Sequence, residues 1–213
     1  MLTRILLLAS LGFAACGDLA GASKTGCVTD ADCLDGLICR SDTCVEAGTN
    51  TSDPEGDVAC LPNGSTVDFI DLIDGTLEVD ATSLTVTITV KDLPESLTFN
   101  QDAVASTALE YQWEARIDVD DDGTEDYGLS ISHFKSGDEQ SGAILANTQH
   151  DLTQMNGASR TRIAGIDAVA IGQTFTLVAQ RSLDPGLDAI DASSKVTFGT
   201  YFGDGSSVCT DSL

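Results

Sequence analysis

Residues 109–119 alternate strictly between apolar and polar side chains, and this limits the chain's possible folds more than any other feature. Leu109, Tyr111, Trp113, Ala115, Ile117 and Val119 share one parity, while Glu110, Gln112, Glu114, Arg116 and Asp118 hold the other. Side chains along a strand point alternately to its two faces, so the pattern predicts a strand with one buried face; a helix would scatter the same residues around its axis. Residues 83–91 repeat the pattern, with Leu84, Val86, Ile88 and Val90 opposite Thr85, Thr87, Thr89 and Lys91. Shorter strands are expected at 67–73, 76–79, 127–131, 160–166, 174–181 and 195–202, separated by turns at Asp74-Gly75, Pro94, Gly137-Asp138, Asn156-Gly157, Pro185-Gly186 and 203–205. Only 101–108 and 187–192 carry a helical hint. Parallel strands covered on both faces read as continuous apolar runs, so one-sided alternation argues for an antiparallel β-sandwich, here of about eight to ten strands. Trp113 shares its parity with Ile117 and Val119, which assigns it to the core.

Cysteine spacing divides the chain. There are seven cysteines, an odd number. Four of them, Cys27, Cys33, Cys39 and Cys44, fall within eighteen residues, a segment too short to bury an apolar core of its own. Their spacing, C-x5-C-x5-C-x4-C, lacks the C-x2-C pairs of structural zinc, so two disulfides are expected; three connectivities are open. Residues 45–59 contain Gly, Thr, Asp and Pro without hydrophobic period and read as a flexible linker. Cys60 and Cys209 flank the alternating region of residues 60–213 and are expected to pair. Closing a loop of about 150 residues contributes on the order of 5 kcal/mol in the chain-entropy account of disulfides.

Cys16 is the seventh. Arg4 is followed by a short apolar run and by Gly12-Phe13-Ala14-Ala15, the arrangement of a secretory signal over 1–15 that is too short to span a bilayer. A leader ending at a cysteine resembles the lipobox of bacterial lipoproteins, in which that cysteine is acylated and becomes the new amino terminus. The resemblance implies a lipid anchor at Cys16, a tether over 16–26 and, because Gly17 follows, delivery to the outer membrane or cell surface. The run CVTDADCLDGLICRSDTC over 27–44 resembles the short cysteine-rich modules of such lipoproteins and, more distantly, the dickkopf-type pattern; modules of this kind imply spacers or protein contacts.

Charge excludes one class of partner. Ten Lys and Arg against thirty-four Asp and Glu give a formal charge of −24, the opposite of what phosphate backbones attract. Nucleic acid is therefore not expected as a partner. The hydrophobic content of 42% nevertheless calls for a folded core.

One motif carries chemistry. Residues 118–126 fit D-x-D-x-D-G-x-x-D and place six acidic side chains within nine residues, which repel unless a cation sits among them. Carboxylates of Asp118, Asp120 and Asp122, the carbonyl of Thr124 and the carboxylate of Asp126 form the spacing of an oxygen shell for calcium, and Gly123 permits the sharp turn. Leu129 stands where a helix–loop–helix calcium site would need Glu, and strands flank the loop. The motif resembles the calcium loops in β-hairpins of integrin-type propeller repeats, which implies a structural ion.

Residues 67–132, a Thr-rich strand followed by an aromatic strand ending in D-x-D, also resemble DOMON-type sandwiches and their sugar-binding relatives. Some of those bind haem through Met and His; here Met155 and His150 lie in polar sequence, and haem is a minor reading. His133 and His150 have no nucleophile or acidic partner at ligand spacing, and there is neither a G-x-S-x-G nor an H-E-x-x-H motif, so an enzyme is not expected. These readings converge on a non-enzymatic surface lipoprotein with a calcium-stabilised sandwich that contacts an unknown protein or glycan. The alternative is a carbohydrate-binding module or an accessory protein of a surface hydrolase.

Overall fold

The computed structural model describes residues 37–40, 43–46, 49–61, 67–98, 109–134, 141–146, 148–203 and 208–213. The leader, Cys16, Cys27 and Cys33 lie outside the described residues, as does the helical hint at 101–108.

Strands dominate. The first four are β1 (Leu37–Arg40), β2 (Thr43–Glu46), β3 (Thr49–Ser52) and β4 (Ala59–Leu61). Two long ones follow, β5 (Leu72–Val79) and β6 (Ser83–Val90), then the short β7 (Ser96–Thr98). The middle of the chain supplies β8 (Leu109–Asp118), β9 (Tyr127–Phe134), β10 (Ser141–Ala143), β11 (Gln149–Asn156) and β12 (Ser159–Gly165). β13 (Asp167–Ile171), β14 (Thr174–Gln180), β15 (Lys195–Gly203) and β16 (Val208–Ser212) complete the set, with short 3-10 turns at Arg181–Leu183 and Pro185–Ala189.

Two antiparallel sheets form a sandwich. One has seven strands in the order β12-β11-β9-β8-β15-β16-β4, the other five in the order β13-β14-β6-β5-β3. The expected β-sandwich is thus present, and the short edge strands β3 and β4 take the strand number beyond ten. Alternation does what it predicted: Leu84, Val86, Ile88 and Val90 of β6 face Tyr111, Trp113, Ala115 and Ile117 of β8 across one core. Each large apolar side chain buried this way stabilises the fold by roughly 1.5–3 kcal/mol. Trp113 sits at its centre, with Phe175 at a ring-centroid distance of 4.4 Å and its indole N–H donating to the Phe69 carbonyl at 2.8 Å.

Several elements depart from the sequence reading. Asp74-Gly75 is not a turn: β5 runs through both, with a bulge between Leu72 and Asp74 that shifts the register. Thr49–Ser52, inside the stretch read as a flexible linker, pairs with residues 74–77 of β5 as an edge strand. Its backbone groups find partners in the ladder, a gain that composition does not reveal. β11, β13 and β16 were not expected. β11 is polar, with Leu152 and Met155 as its buried residues, and a bulge at Leu152/Thr153 breaks its period. β13 inverts the usual pattern by turning Ala168 and Ala170 inward and leaving Val169 and Ile171 exposed.

Cys60 and Cys209 form a disulfide between β4 and β16, where they stand directly opposite each other. In the two-stranded ribbon of β1 and β2, Cys39 is the register partner of Cys44. No helix among the described residues is long and apolar enough to cross a membrane.

Candidate metal centre

The acidic loop joins β8 to β9 in the middle of the seven-stranded sheet. Asp118 ends β8 and is only 5% exposed. Its two oxygens hold the loop closed: Oδ1 accepts the Asp122 N–H at 3.3 Å and Oδ2 the Gly123 N–H at 2.9 Å. Asp126 closes it from the other side, its Oδ2 accepting the Val119 N–H at 2.8 Å while its own N–H donates to the Ile117 carbonyl at 2.8 Å. Asp121 and Gly123 adopt φ values of 56° and 86°, the left-handed region that a Gly tolerates without strain and an Asp more readily than most residues. The spacing therefore produces the tight turn expected of it.

Carboxylate oxygens of Asp118, Asp120 and Asp126 lie within 4.8 Å of one another. Three of the five predicted ligands are thus brought together. Asp122 is not in this close group; its Oδ1 accepts the Thr124 N–H at 2.7 Å. All three converging donors are hard oxygens, the chemistry that calcium or magnesium takes.

The neighbouring charges turn away. Glu125 reaches Arg116 at 3.5 Å, and Arg116 lies 3.9 Å from Glu114, which receives two bonds from the Arg160 guanidinium. Lys195 approaches Asp121 at 3.6 Å, a pair in which both side chains are exposed. The base of the hairpin is fixed by the Tyr127 hydroxyl, which donates to Asp184 Oδ1 at 3.1 Å. Burial first, and then that bond and the nearby negative charges of Asp184 and Asp126, push the Tyr127 phenol up to about 12, so it stays a donor.

Two features escaped the sequence. His133 has no acidic partner at ligand spacing in the sequence, and β9 is paired with β8 so that its Nε2 lies 3.4 Å from Glu110 Oε2 and its ring stacks on Tyr111 at 5.0 Å. A second close group joins Asp53 and Asp57 to Asp211, which stands more than 150 positions further along the chain. The pairing of Cys60 with Cys209 held the clue to it, since Asp57 precedes the first cysteine by three positions and Asp211 follows the second by two.

No protein family, curated protein or solved structure matches the chain.

Proposed function

We propose that this chain is a non-enzymatic, lipid-anchored surface protein whose sandwich is locked by calcium in the β8–β9 loop and presents its loops to a protein or glycan partner. The observation that carries the reading is the convergence of Asp118, Asp120 and Asp126 within 4.8 Å in a turn already closed by bonds from its own N–H groups to the carboxylates of Asp118 and Asp126. A closed turn has little ordering entropy left to lose, so an ion there gains mainly by neutralising like charges. Affinity in the range of about 10⁻⁴ to 10⁻³ M, as in extracellular modules, fits so small a set of ligands. The anchor rests on the leader and Cys16, and the net charge of −24 keeps the body away from an anionic membrane.

The test is calcium titrated into ¹⁵N-labelled protein. Backbone amide signals of Gly123 and Thr124 shift in the wild type, and Asp120→Asn, which alters an exposed side chain, abolishes the shift. Unmoved loop amides at about 10 mM calcium, well above that affinity range, would remove the metal reading. Mass spectrometry of the membrane-associated form checks the anchor: an unmodified Cys16 behind an intact leader contradicts it.

A further inference from the structure

Among the described residues, four strands end the two sheets: β12 and β4 in the seven-stranded one, β13 and β3 in the other. An end strand leaves a row of backbone N–H and C=O groups unpaired, a template on which another strand can form unless something blunts it. Three of the four are blunted. β3 is four polar residues long and β4 only three. β12 carries Arg160 and Arg162, and a bulge at Leu152/Thr153 breaks its pairing with β11.

β13 has none of these devices. Its five residues pair with β14 without a register shift and include no Lys, Arg or Pro. The turn Gly172-Gln173 closes on Ile171 and Thr174, with Gly172 at a φ of 61°. A pair closing a two-residue hairpin turn is hydrogen-bonded, and bonded and non-bonded pairs then alternate along an antiparallel ladder. Ile171, Val169 and Asp167 therefore bond to β14, while the N–H and C=O groups of Ala168 and Ala170 point away from it, to the open side. Among the described residues no other backbone bond takes them up.

Side chains favour an added strand on both of its faces. Val169 is 51% exposed and Ile171 76%, apolar surface that alternate residues of a neighbouring strand cover. On the inner face Ala168 and Ala170, with Ile163 and Ile166 just before them in the chain, pack on the core yet are only half-buried. This flank of the core is partly open to water. Charge then selects the occupant. Asp167, exposed at the head of β13, has no Lys or Arg within 4.0 Å among the described residues, and both cations of β12 are engaged, Arg160 by Glu114 and Arg162 by Asp151. A second copy brings a second Asp167 and the same formal charge of −24, which oppose self-pairing; a basic segment is attracted.

We propose that β13 is a docking edge for an extended segment of a basic partner protein, which adds to the five-stranded sheet as a further antiparallel strand. The segment bonds through its backbone to Ala168 and Ala170, covers Val169 and Ile171 with apolar residues at alternate positions, and sets a Lys or Arg near its C-terminal end against Asp167. Backbone pairing gives such a contact its affinity and the alternate side chains its selectivity. The inference goes beyond the function proposed above: it requires neither the anchor nor the ion and shares no residue with the β8–β9 loop.

A synthetic peptide of alternating Val and Thr that ends in two Lys, titrated in chelator into the ¹⁵N-labelled full chain, tests the edge separately from the metal loop. It shifts the Ala168 and Ala170 amides and slows their exchange with deuterium; if both stay unmoved up to about 1 mM peptide, the range in which weak contacts register, the proposal is overturned. The same peptide N-methylated along its bonding edge has no donors for β13 and does not bind, and equal binding by it refutes strand addition without any change to the protein. Exchanging the two Lys for Glu weakens binding; an unchanged affinity refutes the basic partner. Val169→Lys alters an exposed side chain, keeps the melting temperature of wild type and weakens the Lys peptide about tenfold or more. Full affinity in that variant places the peptide elsewhere. Sedimentation equilibrium covers the remaining occupant: a wild-type dimer that Val169→Lys splits assigns the edge to a second copy and overturns the basic partner.

Discussion

Phe198 of β15 lies flat on Gly75 of β5, so close that a Cβ on the glycine would meet the ring's Cγ and Cδ2 at 2.5 Å. Here the Phe198 ring reaches the backbone of the opposite sheet. Gly75→Ala therefore forces the ring or the strand to move, at a cost of about 1–3 kcal/mol. A urea midpoint unchanged from wild type would show that the core yields freely at this point.

Two Arg–carboxylate pairs on β12 are expected to differ in strength. Arg160 donates twice to Glu114, which is 4% exposed, whereas Arg162 meets Asp151 from a side chain that is 61% exposed. Double-mutant cycles to Ala should give a coupling of roughly 1.5–3 kcal/mol for the first and about 0.2–1 kcal/mol for the second. Equal couplings would mean that burial of Glu114 contributes nothing.

Asp80 supplies an acid-sensitive turn between β5 and β6. Its carboxylate accepts the Thr82 N–H at 2.6 Å, the Ser83 N–H at 2.8 Å and both neighbouring hydroxyls. Partial burial alone would raise its pKa, but these four bonds outweigh that and hold it below the ordinary value of 3.8. A depressed carboxyl contributes stability that is fully present above the unfolded value and is lost as pH falls through the folded one. Asp80→Ala should then destabilise at pH 7 and approach the wild type only as pH falls well below the ordinary value of 3.8. A stability gap that stays constant across this range contradicts the assignment.

Replacing Cys60 and Cys209 together by Ala releases the link between β4 and β16. The expected loss is roughly 2–5 kcal/mol, read as a lower denaturant midpoint.

Local chemistry was legible from the sequence alone. The parity of 83–91 and 109–119 determined which apolar side chains face the core, because a strand's two-residue period is a property of the backbone itself, but it did not reveal that Glu110, Glu114 and Asp118 of the other parity are buried as well. The spacing of 118–126 determined a tight acidic turn, and the cysteine count pointed to the pairing of Cys60 with Cys209. Strand order, register and edge recruitment were settled only in three dimensions, since they depend on which distant segments share hydrogen bonds. That is why Thr49–Ser52 read as a linker and Gly75 as a turn. For the same reason Asp53, Asp57 and Asp211 carry no common signature along the chain: their meeting exists only where two sheet edges cross.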